Sequence, residues 1–403
     1  MVRRLWSKSV ILLTVSCLFG AMASAQVAEF NATSAALREA RASGNHAAYL
    51  ASVRKLLAFA PGHPSIHVHL ARALALGGDS AGALAQLNRL ADFGFSFQTA
   101  GDASFQSLKD HPGFIAVAQR IAANGRGSGR AKDLIKLGIS GGSEGVAWSE
   151  SSRSFLMGSS GSIYSYRLDG EAPARRVANA FAPQVLGIRP DPATRSYLVC
   201  VNQPDGSNSA VVRHHQINGA IMAIHRLPAK NALCNDIALL KDGSFAVTDT
   251  NNGAVFHLVG DRLEPLALTM PTYQPNGIAY DRENDRIYVA HAGGVIAHDR
   301  AAGKSRHLSI NDTLLGSIDG MVWHKGSLIG LQGLTHLGLG SRLLRIVPDD
   351  GARAGRVDIL LAAADFPGRA STVAVAGNEA FVIGGSRQAN GNDEEPVLIR
   401  TPL

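Results

Sequence analysis

Long apolar runs are missing. Beyond the first 25 residues no segment approaches the ~20 consecutive apolar residues that a helix needs to cross a bilayer, so a membrane span is not expected. Blocks of Lys and Arg interleaved with aromatics are missing as well, which leaves nucleic-acid binding without support. The letters G-x-S-x-G occur at residues 78–82, 138–142 and 141–145, but the first lies between helical segments and the other two lead into a β repeat, so none has the strand-to-helix setting of a nucleophile elbow. Cysteine is scarce, at three residues in 403. Long helical patterns fade after about residue 130, while glycine, 43 residues in all, stays frequent. That combination favours a turn-rich β architecture in a chain long enough for two or three domains.

What is present begins with a basic, then apolar, N-terminus. Arg3, Arg4 and Lys8 precede an apolar stretch from Val10 to Met22, and Ala23-Ser24-Ala25 puts small residues at a cleavage site. This is the pattern of a secretory signal over residues 1–25, cut after Ala25, and it predicts export to a periplasm or the medium. Thr14-Val15-Ser16 is a poor approach to a lipidated Cys17. The mature chain keeps 378 residues and a mild formal charge of +4. Cys200 and Cys234 survive processing; export permits a disulfide between them, and two buried free thiols fit the sequence equally.

A 34-residue recurrence follows: Gly44-Asn45, Tyr49, Val53, Leu56 and Pro61 are echoed by Gly78-Asp79, Ala83, Leu87 and Leu90. Leu70, Ala71, Leu74 and Ala75 fall at helical intervals, and the glycines sit where each hairpin turns. The pattern resembles the tetratricopeptide repeat, with His67 standing where that family has a bulky aromatic. It predicts a small all-α domain over 30–124, capped by a helix from about Phe105 to Asn124. Residues 125–130, rich in glycine, read as a linker. The helices are either a packing appendage or a dock for a peptide or protein partner.

From residue 131 to 403 a second repeat predicts a mainly β fold. Its copies are Glu144-Gly-Val-Ala-Trp, Leu186-Gly-Ile-Arg-Pro, Asn235-Asp-Ile-Ala-Leu, Asn276-Gly-Ile-Ala-Tyr, Asp319-Gly-Met-Val-Trp and Ser371-Thr-Val-Ala-Val, spaced 42, 49, 41, 43 and 52 residues apart. Four short strands per ~45 residues make the blade of a six-bladed β-propeller. The last copy has room for three strands, so Leu134 to Ile139 is expected to pair into that blade and leave no open edge.

In a propeller the first strand of each blade lines the central channel, so residues at one phase form a ring. Four of the six, Glu144, Asn235, Asn276 and Asp319, carry oxygen atoms suited to a hard cation. Two carboxylates facing each other repel, and a divalent ion relieves that cost. No Lys or Arg holds the same phase, so no internal salt bridge is expected. With His and Cys absent from the ring, Ca2+ is preferred over zinc. Asn-Gly and Asp-Gly are also ordinary turn dipeptides, the bland alternative.

At these residues the sequence resembles the superfamily of gluconolactonases, regucalcin (senescence marker protein), diisopropylfluorophosphatase and paraoxonases, over about residues 141–403. The motifs are E-G-x-x-W at Glu144, N-D at Asn235 ahead of K-D-G, P-N-G-I-A at Asn276 and D-G-M at Asp319. In the gluconolactonase and regucalcin branch the resemblance implies that Glu144, Asn276 and Asp319 hold the metal and Asn235 lies beside the substrate. In diisopropylfluorophosphatase and paraoxonases all four matching residues approach a catalytic calcium. Two departures stand out. Leu233 occupies the position of a sugar-binding arginine, and Leu186 that of a paraoxonase histidine, so a substrate less polar than a sugar-acid lactone is expected.

The sequence therefore predicts calcium-dependent hydrolysis of a small lactone or ester, with Asp319 as catalytic base or nucleophile on the strength of the resemblance. The competing reading is an exported, non-catalytic propeller with a structural metal and a partner-binding helical region. His214, His215, His291 and His336 read as turn histidines, solvent-facing or satisfied by backbone, and Asp249 as a brace within its sheet.

Overall fold

The structure, a computed structural model, describes residues 25–139, 143–170, 172–308, 313–349, 354–385 and 396–403. Apart from Ala25, the segment read as an export signal lies outside the described residues. Six four-stranded antiparallel sheets form a six-bladed β-propeller, preceded by a small helical region, as the repeats predict. The innermost strands of blades 1 to 6 are Ser143–Ser149, Gln184–Asp191, Cys234–Leu239, Ile278–Asp281, Gly320–His324 and Ala370–Ala376. Each packs on the innermost strands of its two neighbours, blade 6 on blade 1 included. Blade 6 is completed from the other end of the fold: Asp133–Lys136 runs antiparallel to Val397–Pro402, with Leu134 opposite Ile399.

The hydrophobic core lies between blades. Second strands such as Ser196–Asn202 are buried at every position because a neighbouring sheet covers each face. They consequently read as continuous apolar runs rather than alternations. Between blades 2 and 3, Leu186, Leu198, Ile237 and Phe245 pack around Cys200 and Cys234, which are joined as a disulfide. Of the two readings open for these cysteines, the structure has the bond.

The inner strands start irregularly, and that irregularity positions the ring. Ladder register shifts between Ser143 and Val146, Val185 and Ile188, Cys234 and Ile237, and Ala370 and Thr372. Glu144, Leu186, Asn235 and Ser371 thus sit in bulges, which re-aim side chains near functional sites. Asn276 and Asp319 lie just ahead of their strands, held by Asn276 N–H to Ala290 O at 2.9 Å and Asp319 N–H to Leu331 O at 2.7 Å. The residue after each ring position meets the next blade too closely for most side chains. A Cβ on Gly145 would fall 1.8 Å from Leu186 O, and one on Gly320 1.8 Å from Thr372 Oγ1.

The helical region comprises α1 (residues 25–42), α2 (His46–Phe59), α3 (Pro64–Leu76), α4 (Ser80–Asp92), a 3-10 turn at Ala103–Leu108, and α5 (Pro112–Asn124). The recurrence has a local cause. Gly44 and Gly78 take left-handed φ values of 70° and 82°, and the next residues, Asn45 and Asp79, cap α2 and α4 by accepting from Ala48 N–H and Gly82 N–H. Helical hairpins are therefore present; the tetratricopeptide likeness rests on them alone.

These helices do not stand apart from the propeller. Phe30 stacks on Tyr273 at 5.0 Å, and one cluster mixes Leu87, Leu90, Phe95 and Phe105 with Leu314, Leu334 and Leu339. Arg342, 2% exposed, donates to Phe93 O at 2.6 Å and twice to Gln332 Oε1, and lies 3.7 Å over the Phe95 ring. Burial pulls its pKa down to about 9. The loops touched include Gly253, Ala292–Gly294 and Leu334–Gly340 between second and third strands, and 313–317 and 363–365 leading into inner strands. In an antiparallel blade both kinds of loop emerge on one face, the face at which inner strands begin. The helices consequently cover part of the tunnel end that carries the ring.

Replacing both Cys200 and Cys234 by alanine is expected to lower unfolding free energy by about 3 kcal/mol or more, since the bond closes a loop of 34 residues and both sites are buried. Chemical denaturation of mutant and wild type measures this directly.

Candidate active and metal site

The structure brings three of the four predicted ligands together. Asn276 Nδ2 donates to Asp319 Oδ1 at 2.7 Å, and the negative charge of Glu144 acts on Asp319. Burial, and then Glu144, push the Asp319 pKa up to about 7. The side chain of Asn235 is turned aside: its Nδ2 donates to Thr250 Oγ1 at 2.9 Å, and that hydroxyl donates to Pro275 O at 2.6 Å, one residue before Asn276. Asn235 is thus anchored next to the other three without a direct bond to them. Leu186 is 5% exposed and apolar, as expected of a tunnel wall. Ser371 donates towards the backbone of Ser143 and Glu144, at 3.2 and 3.4 Å, and closes the ring between blades 6 and 1.

One expectation is overturned. An internal cation was not anticipated, yet Arg369 Nη2 lies 3.1 Å from Glu144 Oε1. It comes from the loop ahead of the blade 6 inner strand, two positions before Ser371. The same offset in blade 3 holds Leu233, so the position is not marked by residue type from blade to blade. A second residue escaped notice: Asp236, which takes the glycine slot of blade 3. Its Oδ2 accepts from Ile278 N–H at 3.1 Å and its Oδ1 from Ile237 N–H at 2.8 Å, with Arg189 at 3.3 Å. Asp236 therefore ties blades 2, 3 and 4 where a bare glycine could not.

Whether this ring suits a hard cation is decided by its oxygens. Asn276 Oδ1 is buried and has no hydrogen-bond partner among the described residues, a costly state that a cation or a protonated Asp319 would relieve. The raised pKa of Asp319 marks the same unmet need for positive charge. The donor set of two carboxylates and two amides suits calcium chemistry. Against this, Arg369 already neutralises Glu144. Among the described residues no three His, Cys, Asp or Glu side chains gather as a metal cluster, so the amides must complete any such site. The fit is with a weak, amide-rich oxygen site.

The other histidines behave as read only in part, since Nε2 of both His214 and His291 is buried with no hydrogen-bond partner among the described residues. His214 is buried with Nδ1 paired to Gly219 O at 2.9 Å, and His336 is exposed. His291 is buried, 1% exposed, with Nδ1 accepting backbone N–H of Tyr273 and Gly293. Asp249 braces its sheet, accepting from Leu233 N–H at 3.0 Å and Asn252 Nδ2 at 2.8 Å.

Because the folded-state pKa of Asp319 exceeds the ordinary 3.8, its contribution to stability is present below about pH 4 and is lost as pH rises towards 7. In chelator-treated protein, Asp319→Asn is expected to melt with wild type at pH 4 and above it at pH 8. Melting curves at the two pH values test this, and a wild-type advantage at pH 8 contradicts it.

No protein-family model matches the chain, and no curated protein matches it. Solved structures do match. The PQQ-bound aldose sugar dehydrogenase from Streptomyces coelicolor aligns with a TM-score of 0.51 and 17% identity, over 69% of this chain and 98% of that one. A luciferin-regenerating enzyme aligns with a TM-score of 0.50 and 15% identity, over 67% and 95%. At such identities the likeness carries the propeller fold and nothing about activity.

Proposed function

We propose that the protein is an exported, calcium-dependent hydrolase of a lactone or related ester, with its site at the helix-covered end of the propeller tunnel and Asp319 as the reacting carboxylate. The observation that carries this reading is the Asn276–Asp319 contact, pressed by Glu144 and leaving Asn276 Oδ1 unpaired. Perturbed carboxylates in concave sites are candidates for catalysis. Glu144, Asn235, Asn276 and Asp319 would hold the cation. Bound there, it supplies a Lewis acid for the ester carbonyl.

The chain's own residues do the rest. Asn276 orients Asp319 through a single hydrogen bond, leaving its second oxygen beside Gly333, where a Cβ would approach to 3.0 Å. That glycine keeps space open next to the reacting oxygen. Asp319 takes the proton of the attacking water, or itself attacks the carbonyl carbon, the ester C–O bond breaking to release the alcohol and leave an aspartyl anhydride that water hydrolyses; oxygen-18 from labelled water enters the Asp319 carboxylate only in the second course, by attack of water on the aspartyl carbon. Leu186 offers an apolar wall. Export is supported by the basic, apolar and small-residue N-terminus and by the Cys200–Cys234 bond, which persists in oxidising compartments. Among the described residues no helix is long and apolar enough to cross a membrane.

The Arg369–Glu144 pair favours a second reading, a cation-free, non-catalytic propeller. In that reading a protonated Asp319 hydrogen-bonds Asn276 and the arginine does the work of the metal. A partner groove on the helices has less support, because their apolar faces pack against propeller loops.

The test is hydrolysis of a panel of lactones and aryl esters by the mature protein. Turnover should be lost with chelator and lost in Asp319→Ala even at saturating calcium; activity retained by that variant removes Asp319 from the mechanism. Calcium at a hundredfold excess over its Kd should also stabilise wild type by ~2.7 kcal/mol. No calcium-induced rise in Tm, together with no turnover, selects the second reading.

A further inference from the structure

Beside the tunnel mouth the propeller carries an open cavity of about 450 Å3, within the range of about 300–1,000 Å3 common for small-molecule sites. Its walls include Thr335, His336 and Ser341 from the loop between the second and third strands of blade 5, and Ala363, Phe366 and Arg369 from the loop entering blade 6. The cavity belongs to the same neighbourhood as the ring. Gly333, which abuts the free side of Asp319, lies two residues before Thr335. Arg369 lines the cavity and reaches Glu144 with one arm.

The chemistry of these walls is one-sided. Arg369 is half-exposed, at 49%, and among the described residues no carboxylate lines the cavity. Asp365, the nearest acid in the loop, faces away: its Oδ2 accepts from Ala362 N–H and Ser128 N–H, both at 2.8 Å. Desolvation of the ring, with Arg369 beside it, lowers the pKa of His336, and Arg369 is the fixed cation of the wall. Thr335 and Ser341 add hydroxyls; Ser341 is 1% exposed and its Oγ accepts from Leu334 N–H at 3.2 Å. Phe366 and Ala363 supply an apolar wall. A planar guanidinium with five donors, of which Glu144 engages one side, is matched to a carboxylate.

We propose that this cavity is a carboxylate-binding subsite, and that the substrate is an ester or lactone carrying a carboxylate on an apolar body, gripped by Arg369 and the Ser341 and Thr335 hydroxyls. This deepens the hydrolase reading and rests on it for the word substrate, but the binding claim stands by itself. The carboxylate would draw Arg369 away from Glu144 and so free that residue for the ring.

The probe is benzoate, with benzamide as its uncharged counterpart, measured by calorimetric titration against the full mature protein with and without calcium. Benzoate should bind, benzamide should bind at least tenfold more weakly, and Arg369→Gln should cost benzoate at least tenfold in affinity. His336→Glu, at an exposed position, places a negative charge in the wall and should abolish benzoate binding, which keeps the test valid if the arginine variant misfolds. Equal binding of the two probes, or benzoate affinity unmoved by both variants, overturns the subsite. In parallel, mono-p-nitrophenyl glutarate should show a KM at least tenfold below that of p-nitrophenyl butyrate, a difference erased in His336→Glu. Benzoate binding that depends on Arg369, with neither ester hydrolysed, keeps the subsite and removes the hydrolase.

Discussion

Six strands converging on one axis set the terms for everything else in this molecule. At their starts the strands approach so closely that a Cβ on Gly145 or Gly320 would lie 1.8 Å from an atom of the next blade. The chain answers with glycine in four blades and with Asp236 and Thr372 in the other two. The residue just before each slot cannot join a regular ladder, because the ladder slips there in blades 1, 2, 3 and 6. A ring of side chains at the tunnel end is the geometric by-product of close packing. Chemistry follows from which side chains occupy it.

This explains which parts could be read from the sequence. A repeated pair, one variable residue and then a small one, followed by alternating apolar positions, is what the packing demands, so the six blades and the ring phase were legible without coordinates. Blade closure was legible by counting strands in the last copy. The ion pair was not, because Arg369 reaches the ring from a loop two residues upstream, and loop side chains carry no periodic mark. Asp236 was hidden differently. It occupies the glycine slot, where a carboxylate is expected to be excluded, and survives by accepting backbone N–H groups from two blades. Nor does helical periodicity say which surface a helix covers. The placement of the helices over the ring end emerges only from contacts such as Phe30 with Tyr273 and Arg342 with Phe93.

That placement matters for electrostatics. Arg342, buried among neutral partners and an aromatic face, keeps the helices seated on the propeller at a cost in desolvation. The elevated pKa of Asp319 has its own causes at the ring, burial of the carboxyl first and then the charge of Glu144.

Charge counting then joins the two proposals. Glu144 and Asp319 against Arg369 leave one uncompensated negative charge at the ring, while Asp236 and Arg189 cancel each other. Protonation of Asp319 near pH 7 removes the imbalance without a ligand, which is why the cation-free ring is a stable resting arrangement. A divalent cation instead overshoots to one net positive charge, and Glu144 cannot face both that cation and Arg369 with full strength. An anionic ligand in the adjoining cavity corrects both faults at once: it neutralises the excess charge and gives the guanidinium another carboxylate to hold. Cation and carboxylate should therefore bind with positive cooperativity, each easing a penalty that the other creates, and by reciprocity the effect is the same whichever is added first.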